Sequence, residues 1–365
     1  MSRGSRPSAG ELANRRLPLS PGAGFVPLPL PAGQPPYRLE LAEVIGAGRS
    51  AAIADAGALR FHCVGDTGGE GDPAPQRAVA AAMIAELGGP SPVGFFYHLG
   101  DVVYPHGERA NYEEQFHAPY AGYDAPIFAI PGNHDAEGAD GLEPFLDVFG
   151  APAPADDGAA APARPPSRQP HVFWTLVHEW VRIVGLYGNV PEGGQLGDEQ
   201  VRWLVGELAA TPPETTLILA VHQPLVSADV VHGSNLCLLD LLDECAEEAG
   251  RAPDAVLCGH AHVYQRFSRR RDGRETPYVV CGAGGFPLLH PLGSGVGPLP
   301  ARFAGLEGIT LDAYEDRAHG FLTVTVRPGG AEVAYNALSA GAVACCDRFR
   351  IEAPGVGIRK CANVY

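Results

Sequence analysis

The sequence predicts an α/β (α+β layered) fold, and three features of the 365-residue chain indicate it. Apolar runs of strand length alternate with segments of helical periodicity, which is typical of layered α/β proteins. Two runs near the C-terminus, 321–326 and 331–335, flank a Pro-Gly-Gly turn at 328–330, so the sheet is expected to be partly antiparallel. Five predicted strands end in a Gly or Pro turn that carries Asp, Asn or His. The ends of strands are where open α/β sheets bind ligands.

Composition places the chain among globular proteins. Hydrophobic residues make up 45% and charged residues 19% of the chain, and its length suffices for one large domain or two ordinary ones. The formal net charge of −16 disfavours a nucleic-acid polymer as partner. A small phosphorylated substrate remains open, because local cations can outweigh the overall field.

The sequence also bears on location and on the cysteines. No apolar run approaches the length of a membrane span, so no membrane partner is expected. Arg15-Arg16 faintly resembles a twin-arginine signal, but prolines interrupt the region behind it. We therefore expect a cytoplasmic protein, with export left open. The eight cysteines contain no Cys-x-x-Cys pair, which argues against a zinc knuckle. Cys63, Cys258 and Cys281 lie in apolar runs and are predicted to be core residues.

Composition divides the chain into three parts. Residues 1–57 are predicted to be a disordered or extended N-terminal segment, with a first strand possible at 37–45. Residues 58–340 form the predicted functional domain, with an exposed Ala- and Pro-rich insertion at about 151–168. Residues 341–365 are a C-terminal tail without an assigned role.

The elements of the domain follow from its patterns. Eight apolar runs are predicted strands: 59–64, 94–99, 127–130, 171–177, 181–186, 216–221, 255–258 and 278–281. Three segments are predicted helices: 76–87, one that begins with Asp198 as its cap, and 236–249 closed by Gly250. The arginine-rich stretch 269–274 contains Asp272-Gly273, which indicates a hairpin turn. A nucleic-acid patch is the less favoured interpretation of that stretch.

The most informative stretch is Gly132-Asn133-His134-Asp135, directly after an apolar run. Asn offers a neutral oxygen to a metal, and His offers a proton or a ligand nitrogen. Asp can fix the orientation of that His through its second ring nitrogen. A helix-capping turn is the alternative if the stretch stands alone.

It does not stand alone, because other predicted strands end in similar groups. Together the strand ends supply two carboxylates, three imidazoles, one amide and one phenol: Asp66, Asp101, Tyr104, Asn133, His222, His260 and His262. These are too many ligands for one tetrahedral zinc ion, and they fit two metal ions. A dinuclear pair, roughly 3.5–4 Å apart, activates water and clamps a phosphoryl group, which indicates hydrolysis of a phosphate ester. Taken singly, Asp66 or Asp101 is compatible with a structural turn, and His222 with a satisfied core histidine.

These motifs resemble a known family. The series is Gly65-Asp66-x-Gly68, Gly100-Asp101-x-x-Tyr104, Gly132-Asn133-His134-Asp135, Val221-His222 and Gly259-His260-x-His262. It resembles the calcineurin-like metallophosphoesterases over roughly residues 58–286, and within them most closely the purple acid phosphatase branch. Many relatives carry His where this chain has Gly68. This chain instead carries Tyr104, three residues after Asp101, and that exchange of His for Tyr is the mark of the branch.

The resemblance implies a metallophosphoesterase-type mixed β-sandwich flanked by helices, with the metal site at the C-terminal ends of strands. It implies that Asp66, Tyr104 and His262 hold one metal ion. Asn133, His222 and His260 hold the second, and Asp101 bridges the two. The implied cofactors are two metal ions, Fe paired with Zn, Mn or Fe.

The resemblance also implies catalytic roles. His134 contacts the phosphate and protonates the leaving group, and Asp135 orients His134. His232 resembles a second substrate histidine, with an ordinary loop histidine as the alternative. The expected function is phosphomonoester hydrolysis by attack of a metal-bound hydroxide. A phosphodiesterase or nucleotide phosphohydrolase is the first alternative, and a non-catalytic metal-binding scaffold is the second. The oligomeric state stays open.

Overall fold

The structure is a computed structural model that describes residues 27–89, 91–150, 168–188, 194–339 and 341–353. The insertion predicted at about 151–168 lies outside the described residues except for its last position. The N-terminal 26 residues and those after 353 lie outside them as well.

In the part of the chain that the structure describes, two mixed β-sheets form the framework. The first has six strands in the order β15-β14-β13-β2-β3-β4. They are β2 (Leu59–Val64), β3 (Val93–His98), β4 (Ile127–Ala129), β13 (Gly320–Arg327), β14 (Gly330–Ser339) and β15 (Ala342–Glu352). β2, β3 and β4 run parallel, whereas β13, β14 and β15 are joined by antiparallel pairings.

The second sheet has nine strands in the order β1-β5-β6-β7-β8-β10-β9-β12-β11. They are β1 (Arg38–Glu40), β5 (Trp174–His178), β6 (Val181–Gly185), β7 (Thr216–Ala220), β8 (Ala255–Cys258), β9 (Tyr264–Arg271), β10 (Arg274–Cys281), β11 (Ala301–Arg302) and β12 (Ile309–Glu315). β9 and β10 form the hairpin predicted at 272–273, so the arginine-rich stretch is part of a paired strand end.

Within the described residues, five α-helices cover the sheets: α1 (Leu41–Ala56), α2 (Ala74–Leu87), α3 (Glu143–Phe149), α4 (Asp198–Ala209) and α5 (Leu236–Ala249). Apolar side chains of both sheets meet in one core, where Trp174 of β5 packs on Tyr97 of β3 and Phe128 of β4. A second apolar cluster joins α4 and α5 to the outer face of the nine-stranded sheet. The fold is therefore the predicted layered sandwich with flanking helices.

Three predictions about elements were wrong. The segment assigned to an extended N-terminus contains α1, and the strand considered at 37–45 is only β1, residues 38–40. The segment assigned to a C-terminal tail supplies β15, the edge strand of the six-stranded sheet. Gly197, not Asp198, is the N-cap of α4, and Asp198 lies in its first turn.

None of the helices that the structure describes is long and apolar enough to cross a bilayer.

Candidate metal centre

The predicted ligands follow the carboxyl ends of strands that belong to both sheets. Asp66 follows β2 and Asp101 follows β3 in the six-stranded sheet, and His260 follows β8 in the nine-stranded sheet. These three residues have left-handed backbones, with φ of 58°, 55° and 66°. Non-glycine residues rarely adopt this conformation, which costs about 1–3 kcal/mol and is concentrated at functional sites. The turns therefore hold these side chains at a conformational cost.

One group of donor atoms surrounds the hydroxyl of Tyr104. Its oxygen lies 3.2 Å from Oδ2 of Asp101, 3.2 Å from Nε2 of His262 and 3.4 Å from Oδ1 of Asp66. The Nδ1–H of His262 donates to the carbonyl of Leu288 at 3.1 Å. Because that bond fixes the tautomer, Nε2 presents a lone pair to the group.

A second group surrounds Nε2 of His222. This nitrogen lies 3.2 Å from Oδ1 of Asn133, 3.2 Å from Oδ2 of Asp101 and 3.3 Å from Nδ1 of His260. Nδ1–H of His222 donates to the carbonyl of Leu99 at 2.8 Å, which again turns Nε2 toward the group.

The two groups share one atom, Oδ2 of Asp101, whereas Oδ1 of this carboxylate accepts the backbone N–H of His134 at 3.0 Å. A single hydrogen on Tyr104 or on His222 can satisfy only one of the three atoms around it. Groups of oxygen and nitrogen atoms about 3.3–3.6 Å apart match the edges of a tetrahedron with ligand bonds of about 2.0–2.2 Å. The donor set thus fits two cations with a shared carboxylate, and the assignment of each ligand remains a prediction.

The electrostatics of the site favour positive charge. Burial lowers the pKa of His222, but the charge and hydrogen bond of Asp101, together with Asp66 and the carbonyl of Leu99, raise the pKa to about 9. Burial also raises the pKa of the Tyr104 phenol well above its ordinary value, and the carboxylates of Asp101 and Asp66 raise it further. The phenol therefore stays protonated unless a strongly polarising cation replaces its proton.

Glycines allow the loops to approach this closely. A Cβ on Gly259 would lie 2.6 Å from Oδ2 of Asp66, and one on Gly282 would lie 2.7 Å from the same oxygen. A Cβ on Gly132 would overlap Oδ1 of Asp101. The Gly-Ala-Gly-Gly run that begins at Gly282 packs against the loop that carries Asp66.

His134 lies beside the first donor group, with its ring 4.6 Å from that of Tyr104. Its Nδ1–H donates to the carbonyl of Pro105 at 2.6 Å. Burial lowers the pKa of His134, but the charge of Asp101, the hydrogen bond to Pro105 and the charge of Glu137 together raise it, so the net pKa is raised. The surroundings therefore favour a protonated ring.

Asp135 does not orient His134, in contrast to the expectation. Its Oδ2 accepts the backbone N–H groups of Asp101 at 2.9 Å and Gly132 at 2.8 Å, and its Oδ1 accepts that of Val102 at 2.9 Å. The carboxylate is fully buried and joins the loop after β3 to the turn after β4. Adjacency in sequence to His134 gave no information on where this carboxylate points.

The structure brings His232 to the second donor group, where its ring lies 3.8 Å from that of His260. Asp229 accepts the backbone N–H of His232 at 3.2 Å and contacts Nδ1 of His290 at the same distance. The ring of His290 stacks on His262, with centroids 4.4 Å apart. Asp229 and His290 were missed because they lie in loops without a repeated motif.

Comparison with known proteins gives a family match and a shared fold. The sequence profile described as calcineurin-like phosphoesterase matches residues 59–264. No curated protein sequence matches the chain.

Solved structures with the same fold include the following three. A purple acid phosphatase from yellow lupin seeds is 18% identical, with a TM-score of 0.57, 81% of this chain covered and 54% of the lupin chain. The anchor in the inner membrane complex of Plasmodium is 14% identical, with a TM-score of 0.58. The match covers 81% of this chain and 89% of the Plasmodium chain. PhoD is 12% identical, with a TM-score of 0.51. The match covers 81% of this chain and 70% of the PhoD chain. This chain thus spans about half the length of the lupin phosphatase, and identities this low show the fold alone.

Proposed function

The chain belongs to the calcineurin-like phosphoesterase family, and from this membership we propose that it is a dinuclear metal-dependent hydrolase of phosphate monoesters. The observation that carries the proposal is the position of Oδ2 of Asp101, which faces Tyr104 and His222 at 3.2 Å each. One carboxylate oxygen between two donor groups is the arrangement expected of a bridging ligand.

We propose that Asp66, Tyr104 and His262 hold one ion, that Asn133, His222 and His260 hold the other, and that Asp101 bridges them. Two bound ions supply Lewis-acid activation of water and of the phosphoryl oxygens. Fe is proposed beside Tyr104, with Zn, Mn or Fe as its partner, because a phenolate requires a strongly polarising ion.

The side chains around the ions have their own roles. His134 is proposed to protonate the leaving group through Nε2, because Nδ1–H is held by Pro105. His232 is proposed to bind the phosphate next to His260. The left-handed turns at Asp66, Asp101 and His260 hold the donor groups before substrate arrives, so no reorganisation is needed during the reaction.

We propose a small phosphorylated molecule as substrate. The raised pKa of His134 favours a positive charge beside the ions, whereas the chain as a whole has a net charge of −16, which disfavours nucleic acid. A phosphodiesterase or nucleotide phosphohydrolase would use the same centre.

The test combines metal analysis with three assays on the purified protein: 4-nitrophenyl phosphate, bis(4-nitrophenyl) phosphate and a nucleoside monophosphate. We expect about two metal ions per chain and hydrolysis of the monoester in preference to the diester. Preference for the diester would establish the alternative activity on the same centre. Two bound ions without turnover of any ester would support the scaffold, and protein that binds no metal would overturn the proposal.

A further inference from the structure

Three side chains of ligand type lie together beside the proposed centre. Oε2 of Glu137 is 3.2 Å from Nδ1 of His106 and 3.5 Å from Nδ1 of His134. One ligand atom from each of the three residues lies within 4.8 Å of the others. Neither His106 nor Glu137 belongs to the two donor groups around Tyr104 and His222.

The backbone holds this cluster in place. A Cβ on Gly107 would lie 2.7 Å from the carbonyl oxygen of Asp135, and one on Gly138 would lie 2.6 Å from that of His106. The segments that carry His106 and Glu137 therefore touch through their main chains. The other carboxylate oxygen of Glu137 accepts a hydrogen bond from Nδ2 of Asn133 at 3.2 Å, which leaves Oε2 facing the two imidazoles.

The chemistry of the cluster favours zinc. Two imidazoles and one carboxylate are a ligand set that zinc uses with water in its fourth position, whereas Mg²⁺ and Ca²⁺ prefer oxygen ligands alone. Neighbouring ligand atoms of a tetrahedral zinc ion lie about 3.3–3.6 Å apart. Of the two distances in the cluster, 3.5 Å lies within that spacing and 3.2 Å is 0.1 Å below it. The side chain of His106 is 55% exposed, so an ion from solvent can reach it.

We propose that His106, His134 and Glu137 form a third cation site, which binds Zn²⁺ and thereby inhibits the enzyme. When zinc binds, Nδ1 of His134 releases to solvent the proton that it donates to Pro105, and its lone pair goes to the ion. The ring keeps its proton on Nε2 but is now a neutral, zinc-bound imidazole. Transfer of that proton would leave an imidazolate, so His134 no longer acts as an acid toward a leaving group. The inhibitory consequence rests on the proposed function, whereas the zinc site itself does not.

The binding test uses protein loaded at its buried centre. Zn²⁺ is added in competition with a chromophoric chelator, and all metals are counted before and after the titration. We expect one additional zinc ion per chain in the natural protein. His106→Ala and Glu137→Gln should each lose it, with the metals of the buried centre retained. His178→Ala is the matched control, because this half-buried histidine lies on β5 and its Nδ1 accepts only a local N–H from Trp180 in the described contacts.

The activity test follows turnover of 4-nitrophenyl phosphate as Zn²⁺ is raised. A positioned acid contributes ~10²–10⁴-fold, so saturating zinc should slow the natural enzyme by about 10²-fold or more. His106→Ala should keep the basal rate and lose the inhibition, whereas His178→Ala should be inhibited like the natural enzyme.

The two tests separate the two proposals. Protein that hydrolyses no ester but binds the additional zinc through His106 would overturn the proposed function and leave the site standing. An active His106→Ala variant that still binds the additional zinc, or is still inhibited by it, would overturn the site. Natural protein that takes up no additional zinc would overturn it as well.

Discussion

At the scale of single residues, Gly68 and Tyr104 are a coupled pair. A Cβ on Gly68 would lie 2.6 Å from Cδ2 of Tyr104 and 2.5 Å from Oε1 of Gln115. Gln115 in turn holds the backbone of Tyr104, because it accepts the N–H of Tyr104 at 2.9 Å and donates to its carbonyl at 2.8 Å. A side chain at position 68 and the tyrosine at 104 cannot occupy this space together. The sequence showed both departures from the family pattern, and the structure supplies the steric reason that links them.

The first prediction tests this pair by colour. A phenol has a pKa of about 10, so Tyr104 binds as phenolate only to an ion such as Fe(III), which gives a visible charge-transfer band. We expect iron-loaded, oxidised protein to be coloured, and both Tyr104→Phe and Gly68→Ala to lose the band while the far-ultraviolet circular dichroism is unchanged. Gly206→Ala is the matched control, since a Cβ there meets nothing within 4 Å. A colourless but active iron protein, or a Tyr104→Phe variant with an unchanged spectrum, would show that Tyr104 only packs beside the ions.

The second prediction concerns His134. In the described contacts its ring donates a hydrogen bond to Pro105 and makes none to a predicted metal ligand, so His134→Ala should keep about two metal ions per chain. Turnover should fall ~10²–10⁴-fold, because a positioned acid contributes that much. Metal analysis and steady-state kinetics on the same sample provide the measurement. Loss of the two ions of the buried centre in parallel with activity would instead make His134 a ligand of that centre.

At the scale of elements, the carboxylate of Asp135 joins two turns. It accepts N–H groups from the loop after β3, at Asp101 and Val102, and from the turn after β4, at Gly132. The sequence predicted these strands and turns because a buried parallel strand is a nearly continuous apolar run. The sequence did not predict that Asp135 links the two turns, because it does not indicate which backbone N–H groups a buried carboxylate accepts.

The third prediction follows from this link. Asp135→Asn keeps the shape of the side chain but replaces one acceptor oxygen with an NH₂ group that faces backbone donors. Leaving buried donors without a partner costs about 1–3 kcal/mol each, so we expect a lower free energy of unfolding in denaturant titrations. Because the loop that carries Asp101 depends on the same carboxylate, metal content should fall as well. A variant with natural stability, full metal content and reduced turnover would restore the role of Asp135 as a residue that orients His134.

Other elements escaped prediction for identifiable reasons. The first half of β15, from Ala342 to Cys346, is exposed on both faces, so its side chains show no alternation of apolar and polar types. Helix α1 is rich in Ala and Gly and contains Gly46 in a non-helical conformation, so its apolar period is weak. By contrast, α5 matched its predicted bounds because its apolar residues follow a helical period and Gly250 ends it in a left-handed conformation.

At the scale of the whole molecule, the proposed ligands join the two sheets. Asp66, Asp101, Tyr104 and Asn133 follow strands of the six-stranded sheet, whereas His222, His260 and His262 follow strands of the nine-stranded sheet. The sequence predicted that the polar side chains at the ends of strands would lie close together, because each of them directly follows a predicted strand. It could not assign strands to two sheets, because the pairing of distant strands is not encoded in local patterns.

The last prediction follows from ligands on both sheets. Ions that bind only the folded arrangement stabilise it by linkage, about 2.7 kcal/mol for each ion at a hundredfold excess over its Kd. We therefore expect the unfolding temperature of the natural protein to fall when a chelator strips the centre and to recover when metal is restored. In Asp101→Asn the shared ligand is lost, so both ions should be lost and the chelator should have no effect.

The comparison must be made within each variant. Removal of the buried Asp101 charge can by itself raise the stability of the stripped protein, so the relevant quantity is the difference between loaded and stripped samples of the same variant. Asn133→Ala should preferentially lose the ion proposed beside His222 and His260. This variant should therefore keep roughly half of the difference in unfolding temperature between loaded and stripped samples. If Asp101→Asn retained two ions and the full chelator-sensitive shift, Asp101 would not bridge the ions. If the natural protein showed no shift, the ions would not stabilise the arrangement of the two sheets.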